Sequence, residues 1–235
     1  MVIILFFYLI GMIGYTLLKR PIKNIYVMNT NYLTDLEIIE TAGLKDYPPI
    51  IKINNKKIEK KLKQLDLVDD VKIKKNIFGK VTIIIEEAKP LFYSRNDDLV
   101  YLSNKKTTPN SDLYLGLPIL INYTPRELLN DFIDKFKDID DSIIKMINEI
   151  EYSLEAKDDV TIDETRFILR MNDTNTVYVN TINLKRLNEY DKIFATMNEG
   201  LRGIIYLNSN RDTISITSYE SLKEQQNKEE LKNEN

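Results

Sequence analysis

The pattern of apolar and polar positions separates a long apolar start from a remainder in which the two kinds of residue are mixed. Residues 2–18 contain no charged side chain and are followed by Lys19-Arg20-Pro21. As a helix this stretch would be about 25 Å long, near the lower limit for crossing a hydrocarbon core of about 30 Å. Snorkelling of Lys19 and Arg20 would extend its reach. A basic n-region and a small-residue cleavage site are missing, so the pattern predicts an uncleaved transmembrane anchor over residues 1–21 rather than a signal peptide.

Residues 22–90 predict a first domain with the element order β-α-α-β-β. The first strand lies in Ile22–Val27, where apolar residues alternate. Thr34 and Glu37 form a capping box, and Gly43 is the type of residue that ends a helix. One three-stranded sheet covered on one face by two helices is the economical packing for this order. The remaining predicted elements are a helix capped by Asn54 or Asn55, a strand around Val71–Ile73, a turn at Asn76–Gly79 and a strand over Val81–Ile85.

Residues 91–219 predict a second domain that is mainly antiparallel β with flanking helices, so that the whole chain is of the α+β class. The turn-forming run Asn172–Asn175 separates two β-rich segments, which is typical of a hairpin. Thr124 and Glu127 match a second capping box, with Pro125 at the first helical position. The C-terminal elements are predicted to be a Leu-rich helix ended by Gly200, two closing strands at Gly203–Leu207 and Thr213–Thr217, and a charged tail over residues 220–235 that is disordered.

Composition changes the picture mainly through what it excludes. The chain contains no Cys and no His, so disulfides, the usual zinc sites and Ser-His or Cys-His nucleophilic devices cannot form. Residues 91–235 have an excess of Asp and Glu, which disfavours nucleic-acid binding because phosphates require neutralising cations. The slight excess of Lys in residues 22–90 indicates a solvated face, with an anionic lipid contact as the alternative.

Pairs of adjacent carboxylates are the remaining candidates for chemistry. Neighbours in sequence point to opposite sides of a strand, so adjacency alone does not make a catalytic pair. No EF-hand loop, Walker A motif, G-x-S-x-G or G-x-G-x-x-G is present. We therefore predict no catalytic, metal or cofactor site and read these pairs as solvated turn and cap residues: Asp69-Asp70, Glu86-Glu87, Asp97-Asp98, Asp140-Asp141 and Asp158-Asp159.

Several residues between positions 22 and 90 stand in an order that can be compared with known domains. They are Val27, Leu33-Thr34-x-x-Glu37-Ile38, Ala42-Gly43-Leu44, Leu62–Val71, Ile83–Glu87 and Pro90. In this order, directly after a single N-terminal span, they resemble the POTRA domain of the FtsQ/DivIB family of bacterial cell-division proteins. Asn29-Thr30 replaces the family's usual Gly-Asn, and Phe78 stands where Pro is common. Asn tolerates left-handed backbone, so the first departure is compatible with the same turn.

Residues 91–219 resemble the β domain of the same family in element order, in the Leu117-Pro118 pair and in the Leu-rich last helix. The resemblance implies a single-pass divisome protein of the cytoplasmic membrane, with both domains outside and located at the division septum. It implies no enzymatic activity, cofactor or small-molecule substrate. Its partners would be FtsL-like and FtsB/DivIC-like division proteins, in part by addition of a partner strand to the last strand. The predicted partner-binding residues are Ile214, Ser215, Ile216, Thr217, Ser218, Tyr219, Leu187, Tyr190 and Phe194.

Three alternatives stay open from the sequence. Ile214 and Ile216 can both face the domain's own core, which would leave Ser215 and Thr217 outward. A POTRA module of an envelope assembly or secretion system, or a membrane-anchored cell-wall enzyme, is the alternative function. The cations at Lys19, Arg20 and later positions would favour a cytoplasmic location of the folded domains by the positive-inside tendency, whereas the family resemblance places them outside. Most family members carry a basic segment before the span, which suggests a truncated start or a short cytoplasmic tail here.

Overall fold

In this computed structural model the N-terminal unit, Met1–Ala88, consists of a long helix followed by a three-stranded sheet and two shorter helices. The structure describes residues 1–158, 160–197, 201–209 and 214–233. Beyond the first helix, the order is the predicted β-α-α-β-β. The elements are α1 (Val2–Leu18), β1 (Asn24–Met28), α2 (Asp35–Ala42), a 3-10 helix (Ile50–Lys52), α3 (Asn55–Leu62), β2 (Val68–Lys75) and β3 (Lys80–Glu87).

Helix α1 contains 17 uncharged residues, and none of them is buried. At its end, the ammonium of Lys19 lies over the ring of Tyr15, 4.5 Å from the ring centroid. Among the described residues, none of the helices combines the length and the apolar character needed to cross a membrane.

The sheet of this unit has β3 in its centre, parallel to β1 and antiparallel to β2. Alternate residues of β3 point to opposite faces, and Val81, Ile83 and Ile85 are buried on one of them. Ile38 of α2 and Leu62 of α3 have no exposed surface. The two helices therefore bury their apolar faces against one side of the sheet, as predicted.

Local signals set the element ends in this unit. The Thr34 hydroxyl accepts a hydrogen bond from the N–H of Glu37, and α2 ends at Gly43 in the left-handed conformation with φ of 70°. Asn54 caps α3 by accepting from the N–H of Lys57. Asn29 has φ of 65°, so it adopts the left-handed conformation expected of this position. The predicted N-caps at Thr34 and Asn54 and the predicted end of α2 at Gly43 are confirmed.

Glu87 differs from the prediction that it is a solvated residue. Its carboxylate accepts hydrogen bonds from the backbone N–H groups of Asn31 at 2.7 Å, Tyr32 at 3.1 Å and Leu33 at 2.8 Å. Since those groups would otherwise need water, the side chain fixes the loop between β1 and α2. The adjacent-carboxylate pattern gave no sign of this, because the acceptor and donors are far apart in sequence.

The C-terminal unit, Lys89–Asn235, contains one large sheet, one small sheet and several helices. Its elements are β4 (Pro90–Ser94), β5 (Leu99–Leu102), β6 (Thr107–Pro109), a 3-10 helix (Asp112–Tyr114), β7 (Ile119–Leu120), α4 (Arg126–Phe136), α5 (Asp141–Ile144), β8 (Ile147–Tyr152), β9 (Glu155–Lys157), β10 (Val160–Asp163), β11 (Arg166–Met171), β12 (Thr176–Asn180), a 3-10 helix (Leu184–Glu189), α6 (Tyr190–Thr196), β13 (Gly203–Tyr206), β14 (Ser215–Ser218) and α7 (Tyr219–Asn233).

The large sheet has nine strands in the order β14-β13-β12-β11-β8-β7-β4-β5-β6. Its pairs are antiparallel except for β4 with β7, β7 with β8 and β12 with β13. Strands β9 and β10 form a separate two-stranded sheet. The fold is therefore α+β with a mainly antiparallel large sheet, and β14 and β6 are its two edges.

One hydrophobic core lies against the large sheet. Phe132 of α4 stacks on Phe136 at a ring-centroid distance of 4.8 Å and lies 4.3 Å from the ring of Phe167 on β11. Leu184 and Leu187, in the 3-10 helix before α6, have no exposed surface and belong to the same core. Helix α4 and the Leu-rich segment thus cover the face of the sheet on which β11 presents Phe167.

Three predictions in this unit are corrected. The Thr124 capping box does not form: Pro125, with extended backbone, takes the N-cap position of α4, and the Thr124 hydroxyl is buried without a hydrogen-bond partner. The Leu-rich helix begins as a 3-10 helix, and its predicted end at Gly200 lies outside the described residues. The tail predicted to be disordered forms α7, because Glu, Lys, Gln and Leu are strong helix formers.

Candidate functional site

The last strand of the chain, β14, forms one edge of the nine-stranded sheet. Among the residues that the structure describes, it pairs with β13 only, in antiparallel orientation, with Ile216 opposite Ile205 and Ser218 opposite Gly203. The predicted strand began at Thr213, which lies outside the described residues. An edge strand leaves half of its backbone groups without a neighbour in the sheet, so β14 is the place where an added strand could pair.

The hydrogen-bond register identifies which backbone groups of β14 face outward. The N–H of Tyr219 donates to the carbonyl of Arg202 at 3.0 Å, which makes these two residues a hydrogen-bonded pair. In an antiparallel ladder bonded and non-bonded pairs alternate. Thr217 and Ser215 therefore bond toward β13, whereas Ile216 and Ser218 direct their N–H groups to the open edge.

The side chains of β14 divide between the two faces of the sheet. Ile216 lies opposite the fully buried Ile205 yet keeps 36% of its surface exposed, because no further strand covers it. Ile214, just before the strand, is partly buried against the core. Ser215 and Thr217 point to the opposite face. Ile214 and Ile216 therefore face the core side of the sheet, which is one of the alternatives left open by the sequence. Ile216 still exposes an apolar surface at the edge of the sheet.

Tyr219 lies on the same face as Thr217 and is held there by hydrogen bonds. Its hydroxyl is 2.8 Å from the hydroxyl oxygen of Thr176 on β12 and donates to the carbonyl of Thr174 at 3.3 Å. The hydroxyl of Ser218 accepts from the N–H of Ser221 at 3.0 Å and so caps the start of α7. Tyr219 therefore fixes the end of β14 against the sheet, and Ser218 sets the start of the following helix.

The predicted contact residues of the helix before β13 lie in two environments. Leu187 and Tyr190 have no exposed surface, so the prediction that they contact a partner directly is corrected: they form the core beneath the sheet. Phe194 is partly buried, and the guanidinium of Arg202 lies 5.2 Å from its ring centroid. Of the three, Phe194 alone keeps some exposed surface.

A buried polar network holds the start of β13. Asn175 accepts a hydrogen bond from the N–H of Gly203 at 3.0 Å and donates to the hydroxyl of Tyr190 at 3.2 Å. That hydroxyl donates to the carboxylate of Asp173 at 2.8 Å. Burial, followed by the hydrogen bond to Asp173, raises the pKa of Tyr190 above its ordinary value. Asp173 and Asn175 looked only like turn residues in the sequence, but they connect the β11–β12 turn to α6 and to the start of β13.

Gly203 allows the close approach of β13 and β14. A Cβ atom at this position would lie 2.2 Å from the carbonyl oxygen of Thr217 and 2.9 Å from Cα of Ser218. Both are backbone atoms that cannot move without breaking the ladder. The absence of a side chain at Gly203 is therefore a requirement of the pairing that keeps β14 in the sheet.

Elsewhere in the C-terminal unit the predicted carboxylate pair Asp97-Asp98 holds a turn, whereas Asp159 of the predicted pair Asp158-Asp159 lies outside the described residues. Asp97 accepts hydrogen bonds from the hydroxyls of Ser94 at 3.0 Å and Tyr101 at 2.8 Å, beside a cleft of about 600 Å³. Burial, together with the hydrogen bond to Asp97, raises the pKa of Tyr101 to about 12. Asp98 accepts from the hydroxyl of Tyr93 at 2.9 Å. In the part of the chain that the structure describes, no group of acidic residues could hold a metal ion.

Comparison with known proteins finds a family model for the N-terminal unit and relatives that match most of the chain. A family model described as POTRA domain, FtsQ-type, matches residues 20–88. The chain is 31% identical over 216 residues to the cell division protein DivIB of Bacillus subtilis (strain 168). The aligned region covers 87% of this chain and 78% of that protein. It is 26% identical over 210 residues to the cell division protein DivIB of Bacillus anthracis, with 87% and 77% covered.

A solved structure is also similar to the chain. It is the major extracytoplasmic domain of the trans isomer of the bacterial cell division protein DivIB from Geobacillus stearothermophilus, with a TM-score of 0.37 and 17% identity over 50% of this chain and 99% of that one. The named relatives are cell-division proteins, and the family model describes a POTRA domain. From the extent of its identity to the Bacillus subtilis protein, and from the match of residues 20–88 to the FtsQ-type POTRA model, the chain belongs to the DivIB family of cell-division proteins.

Proposed function

We propose that this protein is a single-pass divisome component that scaffolds septal assembly by binding FtsL-like and FtsB/DivIC-like division proteins. The observation that carries the proposal is the open edge of β14, where Ile216 and Ser218 direct their N–H groups away from β13. An extended segment of a partner would accept hydrogen bonds from these groups and so become a tenth strand of the sheet. The activity is recognition, without a catalytic step.

Side chains at the edge supply the apolar part of the interaction. Ile216 is 36% exposed on the face that carries the core, so a partner strand that places an apolar residue beside it would extend that core. The partly exposed Phe194 and the edge of Ile214 offer further apolar contact. Main-chain bonds would give affinity, and these side-chain contacts would give specificity.

The chain is anchored, in this proposal, by α1 in the cytoplasmic membrane, with both units on the outer side. The support is that α1 has 17 residues without a charge and without a buried position. Lys19 and Arg20 directly follow it and can snorkel to the headgroup layer. The outer location follows the family rather than the positive-inside tendency, because large domains are translocated largely regardless of charge.

The strand-addition step is tested with a proline that removes one outward N–H group. Ile216→Pro leaves the bonds from β14 to β13 in place but deletes a donor that a partner strand needs. We expect loss of copurification of the FtsL-like and FtsB-like pair. Thr107→Pro, on the opposite edge strand β6, is the matched control and should leave the partners bound. If Ile216→Pro retains its thermal unfolding transition and still copurifies the pair at the level of the unsubstituted protein, strand addition at β14 is wrong.

The cellular role and the orientation have separate tests. A fluorescent fusion should concentrate at the division septum, and depletion should produce filaments. A diffuse envelope signal in dividing cells would contradict the septal role.

Protease added from outside should digest the two units in cells whose outer layers are permeable to it. Full protection under those conditions would contradict the proposed orientation.

A further inference from the structure

Two loops of the N-terminal unit lie beside the segment that leaves α1. The N–H of Ile22 donates to the carbonyl of Pro48 at 3.2 Å, and the N–H of Ile50 donates to the carbonyl of Arg20 at 3.3 Å. The N–H of Lys23 donates to the carbonyl of Gly79 at 2.8 Å. The 46–51 loop and the β2–β3 turn, residues 76–79, are therefore both held within a few residues of the end of α1.

Each of these loops exposes large apolar side chains. In the β2–β3 turn Ile77 is 49% exposed and Phe78 is 71% exposed. In the other loop Tyr47 is 47% exposed and Ile51 is 50% exposed. These four residues together are called the α1-proximal surface. Their exposure to water is unfavourable, so their common position at the end of the unit where α1 enters calls for a partner.

The β2–β3 turn is built to hold its apolar tip outward. The side-chain oxygen of Asn76 accepts hydrogen bonds from the N–H groups of Phe78 and Lys80, both at 3.0 Å. Gly79 has φ of 92°, and a Cβ atom there would lie 3.1 Å from the backbone nitrogen of Lys23. The turn is thus packed directly against the chain that follows α1, and its position relative to the helix end is fixed.

Exposed cations lie close in sequence to the α1-proximal surface, at the helix end and beside the two loops: Lys19, Arg20, Lys23, Lys52, Lys75 and Lys80. The ammonium of Lys75 donates to the carbonyl of Ile53, and that of Lys80 lies over the ring of Tyr26. Asp46 is the acidic side chain next to Tyr47 in sequence. Aromatic and aliphatic side chains interspersed with Lys and Arg are the composition of segments that lie in the interface of an anionic membrane.

We infer that the α1-proximal surface inserts into the anionic headgroup layer of the membrane that α1 enters, so that the N-terminal unit is held against the lipid at a second place besides the helix. The inference rests on the proposed anchoring by α1. With Leu18 at the boundary of the hydrocarbon, Arg20 lies at most about 7 Å from that boundary and Lys23 at most about 18 Å, at about 3.5 Å per extended residue. The loops are bonded to Arg20, Ile22 and Lys23 themselves, so both are held in or next to the headgroup region.

The absence of Trp from the chain makes a direct test possible. Phe78→Trp gives the full-length protein a single tryptophan, and the protein is reconstituted into vesicles that contain phosphatidylglycerol and brominated phosphatidylcholine. We expect a blue-shifted emission and loss of most of its intensity through quenching by the brominated lipid. The control is Leu36→Trp, at a position that is 60% exposed and lies near the far end of β3, about 25 Å away. It should keep the emission of a water-exposed tryptophan.

A third variant, Phe7→Trp, reports on α1 itself and separates the inference from the anchoring proposal. If Phe7→Trp is quenched and Phe78→Trp is not, the lipid contact of the α1-proximal surface is wrong while the anchor stands. If Phe78→Trp is quenched and Phe7→Trp is not, the surface contact stands and the anchor is wrong. If neither is quenched, both are overturned. Replacing phosphatidylglycerol by phosphatidylcholine should weaken the quenching of Phe78→Trp alone, and unchanged quenching would overturn the anionic preference.

Discussion

The two edges of the nine-stranded sheet differ in their capacity to accept another strand. On β6 the bond from the N–H of Leu102 to the carbonyl of Lys106 sets the register, so that Thr107 and Pro109 face outward. Pro109 has no N–H group, and β6 therefore offers one outward donor. On β14 both outward residues, Ile216 and Ser218, have an N–H group.

The capacity of a sheet edge to accept another strand therefore depends on which residues occupy its outward positions. Proline and charged residues are the usual means by which proteins protect an edge from unwanted pairing. Strand β6 has such a proline in three residues, whereas β14 has neither a proline nor a charge. This difference supports the proposal that strand addition takes place at β14 rather than at β6.

The largest effect is expected for Gly203→Ala. Its Cβ atom would come within 2.2 Å of the Thr217 carbonyl oxygen, so β13 and β14 would have to separate. The cost of such overpacking is about 3 kcal/mol. Chemical denaturation should show the lower stability, and hydrogen exchange should show faster exchange of the N–H groups that link the two strands. Ser215→Ala, at an exposed position of β14, is the control. A Gly203→Ala protein as stable as this control would show that β14 is not held by close pairing.

A smaller loss is expected for Asn175→Ala, which removes the acceptor of the Gly203 N–H and a partner of the Tyr190 hydroxyl. Leaving buried polar groups unsatisfied costs about 1–3 kcal/mol. The free energy of unfolding measures this cost. Asn104→Ala removes an acceptor of the Lys106 N–H at the β6 end and should have a smaller effect, since that site is not fully buried. If the two substitutions lower the free energy of unfolding equally, the hydrogen bonds of Asn175 do not stabilise the β14 side more than those of Asn104 stabilise the β6 side.

The N-terminal unit could be predicted from sequence because its element ends are set by local interactions. Thr34, Gly43 and Asn54 each act within three residues of themselves or by their own backbone conformation. The small strands β6 and β7 could not be predicted in this way. Strand β7 has two residues, and both of its neighbours, β4 and β8, pair with it in parallel. Its hydrogen bonds come from residues far along the chain, so no periodicity marks it.

In the candidate site too, some features follow from the local sequence pattern and others depend on tertiary packing. The position of the last strand and its apolar residues follow from the alternating pattern around Ile214 and Ile216. The burial of Leu187 and Tyr190, and the role of Asn175, depend on tertiary packing that adds side chains from other elements. At α4, Pro125 lies at the N-cap position with φ of −53° and ψ of 136°, instead of at the first helical position that the capping pattern of Thr124 requires.

Alkaline pH provides a probe of the network on the β14 side. The pKa of Tyr190 is raised by burial and by the hydrogen bond to Asp173 above its ordinary value of 10.0. Its hydroxyl therefore stabilises the fold below pH 10, and this contribution is lost as pH rises from there toward the folded pKa. Tyr190→Phe should make the decline of unfolding free energy above pH 10 shallower by up to about 1.4 kcal/mol per pH unit. An unchanged slope would show that Tyr190 ionises equally in both states.

The smallest effect is expected for Pro109→Thr, which gives β6 the outward N–H group that β14 already has at each outward position. Stability should fall by less than about 1 kcal/mol, mainly because the unfolded chain gains conformational freedom. The new donor should increase self-association through the β6 edge, measured as a concentration-dependent sedimentation coefficient. Thr108→Val is the control, because the N–H of Thr108 faces β5 in the ladder and no outward donor is gained. If Pro109→Thr associates no more than this control, the proline is not what protects β6, and the short length of the strand is the sufficient reason.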